Sequence, residues 1–323
     1  MIQADPQRGA ALLSIMLIVA ALAVAAVIAI TAIARQTDLA KAASRRSDAS
    51  WAAYSAEALA LSAVQEISTV TNGQLTSAAT GLGEPVIIPV RGGIVALKVK
   101  EAENCFNINA LGNPDEGAAT FARLSWATLL QDLEISATEA NNLANTLADW
   151  LDADSATRQG SAEDGYYLTL RPAYRAANQP MDSPRELASV MGYTKELREA
   201  LAPLICARPD TKMTRLNINT LAPDQAALLR VAYSNALTLA AAMRILEDRP
   251  QSGWSGVDQF EALPDIRTIP EGQKRTEALS ITSSHFLAEG QATLDGGSWP
   301  FSFIITADSG NTPRTVWRRM GEE

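Results

Sequence analysis

The chain has 323 residues, 47% of them apolar and only 6% aromatic, with a formal net charge of −9. That length suffices for two or three packed units. The acidic balance argues against a general nucleic-acid binder, whose affinity comes mostly from Lys and Arg on phosphates.

Residues 1–8 are polar, and residues 10–34 form an uncharged run interrupted only by Ser14 and Thr31. At about 1.5 Å per helical residue the run exceeds the roughly 30 Å of a bilayer core. In lipid its backbone can satisfy its own hydrogen bonds only as a helix. A secretory signal peptide is cut after its apolar stretch, whereas here the small pair Gly9-Ala10 precedes it. The arrangement resembles prepilins and pseudopilins, which a prepilin peptidase cuts on the cytoplasmic side of the apolar segment. Cleavage is therefore expected between Gly9 and Ala10. Most of that class carry Glu at the fifth mature position. Here that position is Ser14, and the K-type minor pseudopilins of type II secretion are the subfamily that lacks the Glu.

Arg35, Lys41, Arg45 and Arg46 follow the apolar run, against Arg8 before it. The positive-inside rule would put the domain in the cytoplasm, but it weakens for long translocated domains. The leader and the cysteines favour a single-pass protein of the bacterial inner membrane with its C-terminal domain in the periplasm.

Residues 35–70 contain no Pro or Gly, and Trp51, Tyr54, Ala58, Leu61 and Val64 recur at helical spacing. The pattern predicts one helix from Ala10 to about Val70, its outer half burying one face on a globular domain. Gly73, Gly81, Gly83 and Pro85 mark a loop. Segments 85–90 and 94–100 read as strands around Arg91-Gly92-Gly93, a hairpin signal. From Asn113 to about Arg267 the pattern is helical. Ser183-Pro184-Arg185-Glu186 supplies a cap, a first-turn Pro and a reciprocal Glu. Thr194 can cap another short helix, and 223–233 and 235–247 read as a helical pair. Strand-like text returns after Leu279, at 283–287, 298–307 and 315–319. The fold class is α+β: a long N-terminal transmembrane helix and an antiparallel sheet, with a large all-α, SAM-like insertion. The division is a leader at 1–9 and a membrane helix at 10–34. A first sheet-bearing part covers 35–112, two helical sub-blocks cover 113–210 and 211–278, and the closing strands cover 279–323.

Cys105-Phe106-Asn107-Ile108-Asn109 is echoed by Leu216-Asn217-Ile218-Asn219-Thr220. An Asn ahead of a helix can accept from free backbone amides, so both copies read as helix-start turns. The two cysteines, Cys105 and Cys206, permit one disulfide in an exported domain, or are two buried free thiols. The exported setting favours the disulfide.

The sharpest chemical signal is Asp149-Trp150-Leu151-Asp152-Ala153-Asp154, followed by Glu163-Asp164-Gly165-Tyr166-Tyr167. Five acids and one base, Arg158, lie within residues 149–164. Asp152, Asp154 and Glu163 stand at positions 1, 3 and 12 of a twelve-residue loop, but Ala156 and Thr157 break the EF-hand pattern. Hard oxygen donors on such a loop suit calcium. Solvated surface acids and a catalytic carboxylate pair are the competing readings. No P-loop, zinc motif, nucleophile elbow or Rossmann fingerprint supports catalysis. The lone His285, in a strand, is read as structural or merely exposed.

The acidic string, the two Asn-containing turns, and Asn178-Gln179-Pro180-Met181 with Glu186-Leu187 closely resemble the K-type pseudopilin family. That resemblance implies a pilin-like domain with a calcium-binding helical insertion, sited at the tip of the secretion pseudopilus. It implies the I- and J-type minor pseudopilins as partners, alongside other pseudopilins, the prepilin peptidase and membrane lipid. The expected calcium ligands are Asp152, Asp154, Glu163 and Asp164, then Asp149, Asn178 and Asp182. A subunit with none ahead of it can dispense with the fifth-position Glu, since an unpaired carboxylate in lipid is costly; Ser14 would thus mark an initiator or cap.

The rival is a membrane-anchored helix-hairpin-helix DNA receptor, suggested by Asn217-Ile218-Asn219-Thr220 leading into two short helices. The turn between them, Ala232-Tyr233-Ser234-Asn235, has no Gly. Residues 210–265 hold five bases and seven acids, which opposes phosphate binding.

Overall fold

In the computed structural model, residues 6–71, 74–76, 82–307 and 312–321 are described, with side chains from Leu12 onward. Gly73 and Gly81 lie outside the described residues. Helix α1 runs unbroken over Pro6–Val70. Its 65 residues span roughly 98 Å. From Leu12 it is long and apolar enough to cross a membrane, and its most apolar window buries nothing against the rest of the molecule. The hydroxyls of Thr31 and Thr37 donate to the carbonyls of Ile28 and Ile33, both at 2.9 Å. A polar group in an apolar stretch is thereby satisfied within the helix itself.

The outer half of α1 packs on a sheet, and of its apolar positions at helical spacing Val64 is buried and Leu61 partly so, while the others face outward. Trp51 is 69% exposed and Tyr54 45%, and Ala58 is exposed too. The buried stripe is Ala49, Ala52, Ala53, Ala56, Ala60 and Val64. Small side chains let the helix axis come close to the sheet, and the sheet supplies the bulk with Phe286, Phe301 and Phe303. Within the stripe, Glu57 is buried and accepts two hydrogen bonds from Arg318, at 2.8 and 2.6 Å. That contact holds its carboxyl below the usual range.

The sheet has five antiparallel strands: β1 (Pro85–Val90), β2 (Gly93–Glu101), β7 (His285–Leu294), β8 (Gly297–Thr306) and β9 (Arg314–Met320), in that order. Each predicted strand is present, and β2, β7 and β9 extend beyond their predicted ends. Gly92, at φ +84°, makes the two-residue turn from β1 to β2. The central pair, β2 and β7, brackets the helical block: the chain leaves the sheet at Glu101 and returns at His285, with Glu101 opposite Phe286. Both crossings therefore fall at one end of the sheet.

The block between them has its own core around Trp126, Leu129, Leu130, Leu147 and Tyr167. Its main helices are α2 (Glu116–Asp132) and α3 (Ala137–Leu151), capped by Asp115 and Ser136. Ser183 begins a 3-10 turn rather than an α-helix, with its capping box formed. Thr194 caps α5 (Lys195–Leu201). The predicted helical pair is α6 (Ala226–Ala232), after a 3-10 turn, and α7 (Leu239–Glu247), which starts later than expected because Thr238 is its cap.

The block is not wholly helical. β3 (Phe106–Asn107) pairs in parallel with β4 (Ile205–Cys206), and β5 (Leu216–Asn217) pairs in parallel with β6 (Leu279–Ser280). Two-residue strands carry too little alternation to show in a sequence. They reveal the internal echo as a repeated device. Asn107 and Asn217 each accept from the backbone N–H two residues on. Asn109 then clamps the backbone of Met181 at both its N–H and its carbonyl. Asn219 clamps Trp254 in the same way. Asn104 joins the two copies, exchanging two hydrogen bonds with the backbone of Asn217.

Cys105 and Cys206 are disulfide-bonded across a sequence separation of 101. Closing a loop of that size adds about 4–5 kcal/mol in the chain-entropy account. Beside it, where the chain crosses between sheet and block, Glu103 accepts from Ser284 N, His285 N and Arg208. His285 also meets Glu103 through its ring, at 3.2 Å. Burial alone would push Glu103 up, but His285 and Arg208 hold it at about 2. The lone histidine thus serves the joint between the two units.

Candidate metal centre

Helix α3 ends at Leu151 with Asp152 as its C-cap, and a loop then runs to α4 (Asp164–Tyr167), which Glu163 precedes. One face of α3 holds that loop down. Asn145 donates to Gln159 O at 3.0 Å. Asp149, fully buried, accepts from the backbone N–H of Arg158 at 2.8 Å and from the hydroxyl of Ser161 at 2.5 Å. Gly160 has φ +74°, and a Cβ there would meet the Asn142 amide at 2.1 Å. A side chain there would be strained at that φ and would have to displace the Asn142 amide.

The loop brings carboxylate oxygens of Asp152, Asp154 and Glu163 within 4.8 Å of one another. Glu163 is only 6% exposed, and neither of its oxygens has a hydrogen-bond partner. Oδ1 of Asp152 is likewise buried without a partner, as is Oδ1 of Asn178. Asn178, at φ +49°, lies against the same loop: its side-chain nitrogen donates to Asp154 O at 3.2 Å. Burial, then the neighbouring charges of Asp149 and Asp152, push the Glu163 carboxyl up. Burial likewise pushes up Asp152, against the pull of Arg158.

The remaining expected ligands are placed differently. Asp149 is engaged by Arg158 and Ser161. Asp164 accepts from Arg175 at 2.6 Å and from Ala176 N at 3.0 Å. Asp182 is exposed, outside the carboxylate group, and its N–H donates to Glu186. Arg158, read in the sequence only as a lone base among acids, links two of them: its guanidinium bonds both Asp149 and Asp152.

Unpartnered carboxylate and amide oxygens, gathered without nitrogen or sulfur donors, fit a hard cation such as calcium. Buried carboxylates without partners would otherwise carry a steep desolvation cost. Asp152, Asp154, Glu163 and Asn178 would hold the ion. Its contribution there is charge neutralisation and cross-linking of the loop.

The N-terminal features are simpler. Gly9 and Ala10 lie within α1, their side chains outside the described set, and Ser14 sits on the exposed apolar stretch.

The rival DNA-binding reading does not fit the helical pair. The left-handed turn is made by Ser234 and Asn235 instead of Gly. Asn235 donates to Thr128 on α2 at 3.0 Å, and Arg230 pairs with Asp132 at the end of α2. The hairpin is spent on docking inside the chain.

Family models described as "Type II secretion system (T2SS), protein K" match residues 104–210 and 216–282. The type II secretion system protein K of Klebsiella pneumoniae is 30% identical, the match covering 98% of this chain and 97% of that protein. Its namesake from Aeromonas hydrophila is 34% identical over 87% of each. Among solved structures, the chain is similar to one in the GspK-GspI-GspJ complex of enterotoxigenic Escherichia coli. The TM-score is 0.77 at 28% identity, over 88% of this chain and 99% of that one.

Proposed function

The chain belongs to the protein K family of the type II secretion system, as a minor pseudopilin, and from that premise we propose that it initiates or caps the pseudopilus. It does so at the tip, together with the I- and J-type minor pseudopilins. α1 anchors it in the inner membrane until assembly, and the disulfide-bonded domain lies in the periplasm. Prepilin peptidase frees Ala10 as the mature N-terminus, and calcium in the acidic loop braces the helical block. No catalytic role is proposed.

The observation that carries this reading is the likeness, across nearly the whole length, to a chain solved together with GspI and GspJ. Ser14 supports the tip position. It sits where other pseudopilins carry the acid thought to meet the amine of the subunit ahead, and a tip subunit has none ahead. The test is Ser14→Glu in secreting cells. A carboxylate there has no partner in lipid, so pseudopilus number and export should fall severalfold. Unchanged assembly and export would show that Ser14 does not mark the tip.

A further inference from the structure

Resting on the calcium reading above, we propose that Arg158 is the positioning residue of the metal centre, orienting Asp152 toward the ion through its second oxygen. Asp152 divides its labour. Its Oδ2 accepts from Arg158 Nη1 at 2.5 Å. Its Oδ1 is buried with no partner, and the residue belongs to the group formed with Asp154 and Glu163. A carboxylate pinned at one oxygen cannot swing its other oxygen away from the group.

Arg158 can do this because it is itself fixed from two sides. Its backbone N–H donates to Oδ2 of Asp149 at 2.8 Å, and the same Nη1 that holds Asp152 also bonds Oδ1 of Asp149. Asp149 is 0% exposed and belongs to the last turn of α3. The orientation of Asp152 is thus referred back to a rigid helix, not to the loop that carries the ligands. Groups that orient metal ligands in this way commonly matter 10- to 100-fold in affinity. Arg158 also places a positive charge beside a site meant for a cation. On charge alone, removing it should tighten calcium binding. Positioning predicts the reverse, so the two accounts differ in sign.

The experiment is calorimetric titration of calcium chloride into the full chain in detergent, after exhaustive chelation. Wild type, Arg158→Ala and Arg158→Lys are compared, with circular dichroism confirming the fold. Positioning predicts that Arg158→Ala raises the calcium Kd about 10- to 100-fold. It predicts a smaller, severalfold loss for Arg158→Lys, which keeps the charge without the planar guanidinium. Equal or tighter binding by Arg158→Ala overturns the proposal. If Arg158→Ala does not fold, Arg158→Lys decides: a weakened site supports positioning, and an unchanged one overturns it. A wild-type chain that takes up no calcium overturns the metal reading itself, which distinguishes that failure from failure of the Arg158 role.

Discussion

Glu163 is a buried acid with nothing to bond, so its contribution depends on what neutralises it. Its folded-state pKa is raised by burial and by Asp149 and Asp152. A raised carboxyl destabilises the fold once pH climbs past its unfolded value, and a bound cation relieves the penalty. Glu163→Gln should therefore raise the melting temperature in chelator at pH 7.5. It should also abolish the further stabilisation that calcium gives wild type, about 2.7 kcal/mol at a hundredfold excess over Kd. Thermal melts with and without calcium check both halves. A second, half-buried acid titrates at the joint. Burial pushes the Glu101 carboxyl up to about 7, despite hydrogen bonds from Ser283 and Glu103 N. Its penalty grows as pH rises from about 4.5 to 7 and is full above. Glu101→Gln should stabilise the protein at pH 8 and have little effect at pH 5, read as paired melts. Glu103 moves the opposite way and releases its stabilisation only below about pH 4.5, so it does not confuse this window. The acids of the loop were legible in the sequence as a group. What each one does was not: Asp149 and Asp164 look like ligands in a string, but their partners, Arg158, Ser161, Arg175 and Ala176, are chosen by the loop's path back over α3.

At the scale of elements, α1 illustrates the limits of periodicity. Its continuity was readable, because no Pro or Gly interrupts residues 10–70. Its buried face was readable only at the Leu61–Val64 end. Helical spacing finds an apolar stripe, but cannot tell a bulky stripe that faces outward from an alanine stripe pressed on aromatic side chains. The difference is measurable. Ala56 is 1% exposed, so Ala56→Leu overpacks the contact with the sheet and should cost about 1–3 kcal/mol. Trp51→Ala, on the exposed side, should leave the stability of the isolated protein within about 0.5 kcal/mol of wild type. A larger loss for Trp51→Ala than for Ala56→Leu would mean that the helix sits on its other face. The hairpin and closing strands were legible through alternation and turn residues. The parallel pairs β3–β4 and β5–β6 were hidden, since their partners lie far along the chain and each strand is two residues long. The Asn turns that follow β3 and β5 were nonetheless visible, because capping is local chemistry.

For the whole molecule, the α+β architecture followed from the order of patterns: long helix, hairpin, helices, strands. What the sequence left open was how the inserted block is tied to the sheet. Three devices meet where the chain crosses: the Cys105–Cys206 disulfide, the Glu103–Arg208–His285 network, and Asn104 reaching to Asn217. Together they tie the helical block to the sheet on which the outer half of α1 packs, while the apolar half of α1 stands clear of the rest of the molecule. The most direct test is to count and locate the chain in pseudopili from secreting cells, by quantitative mass spectrometry and gold labelling of the helical block. The account predicts one copy per fibre, at one end, in equal number with the I- and J-type subunits. Many copies distributed along the shaft, or a chain recovered without those two subunits, would contradict it.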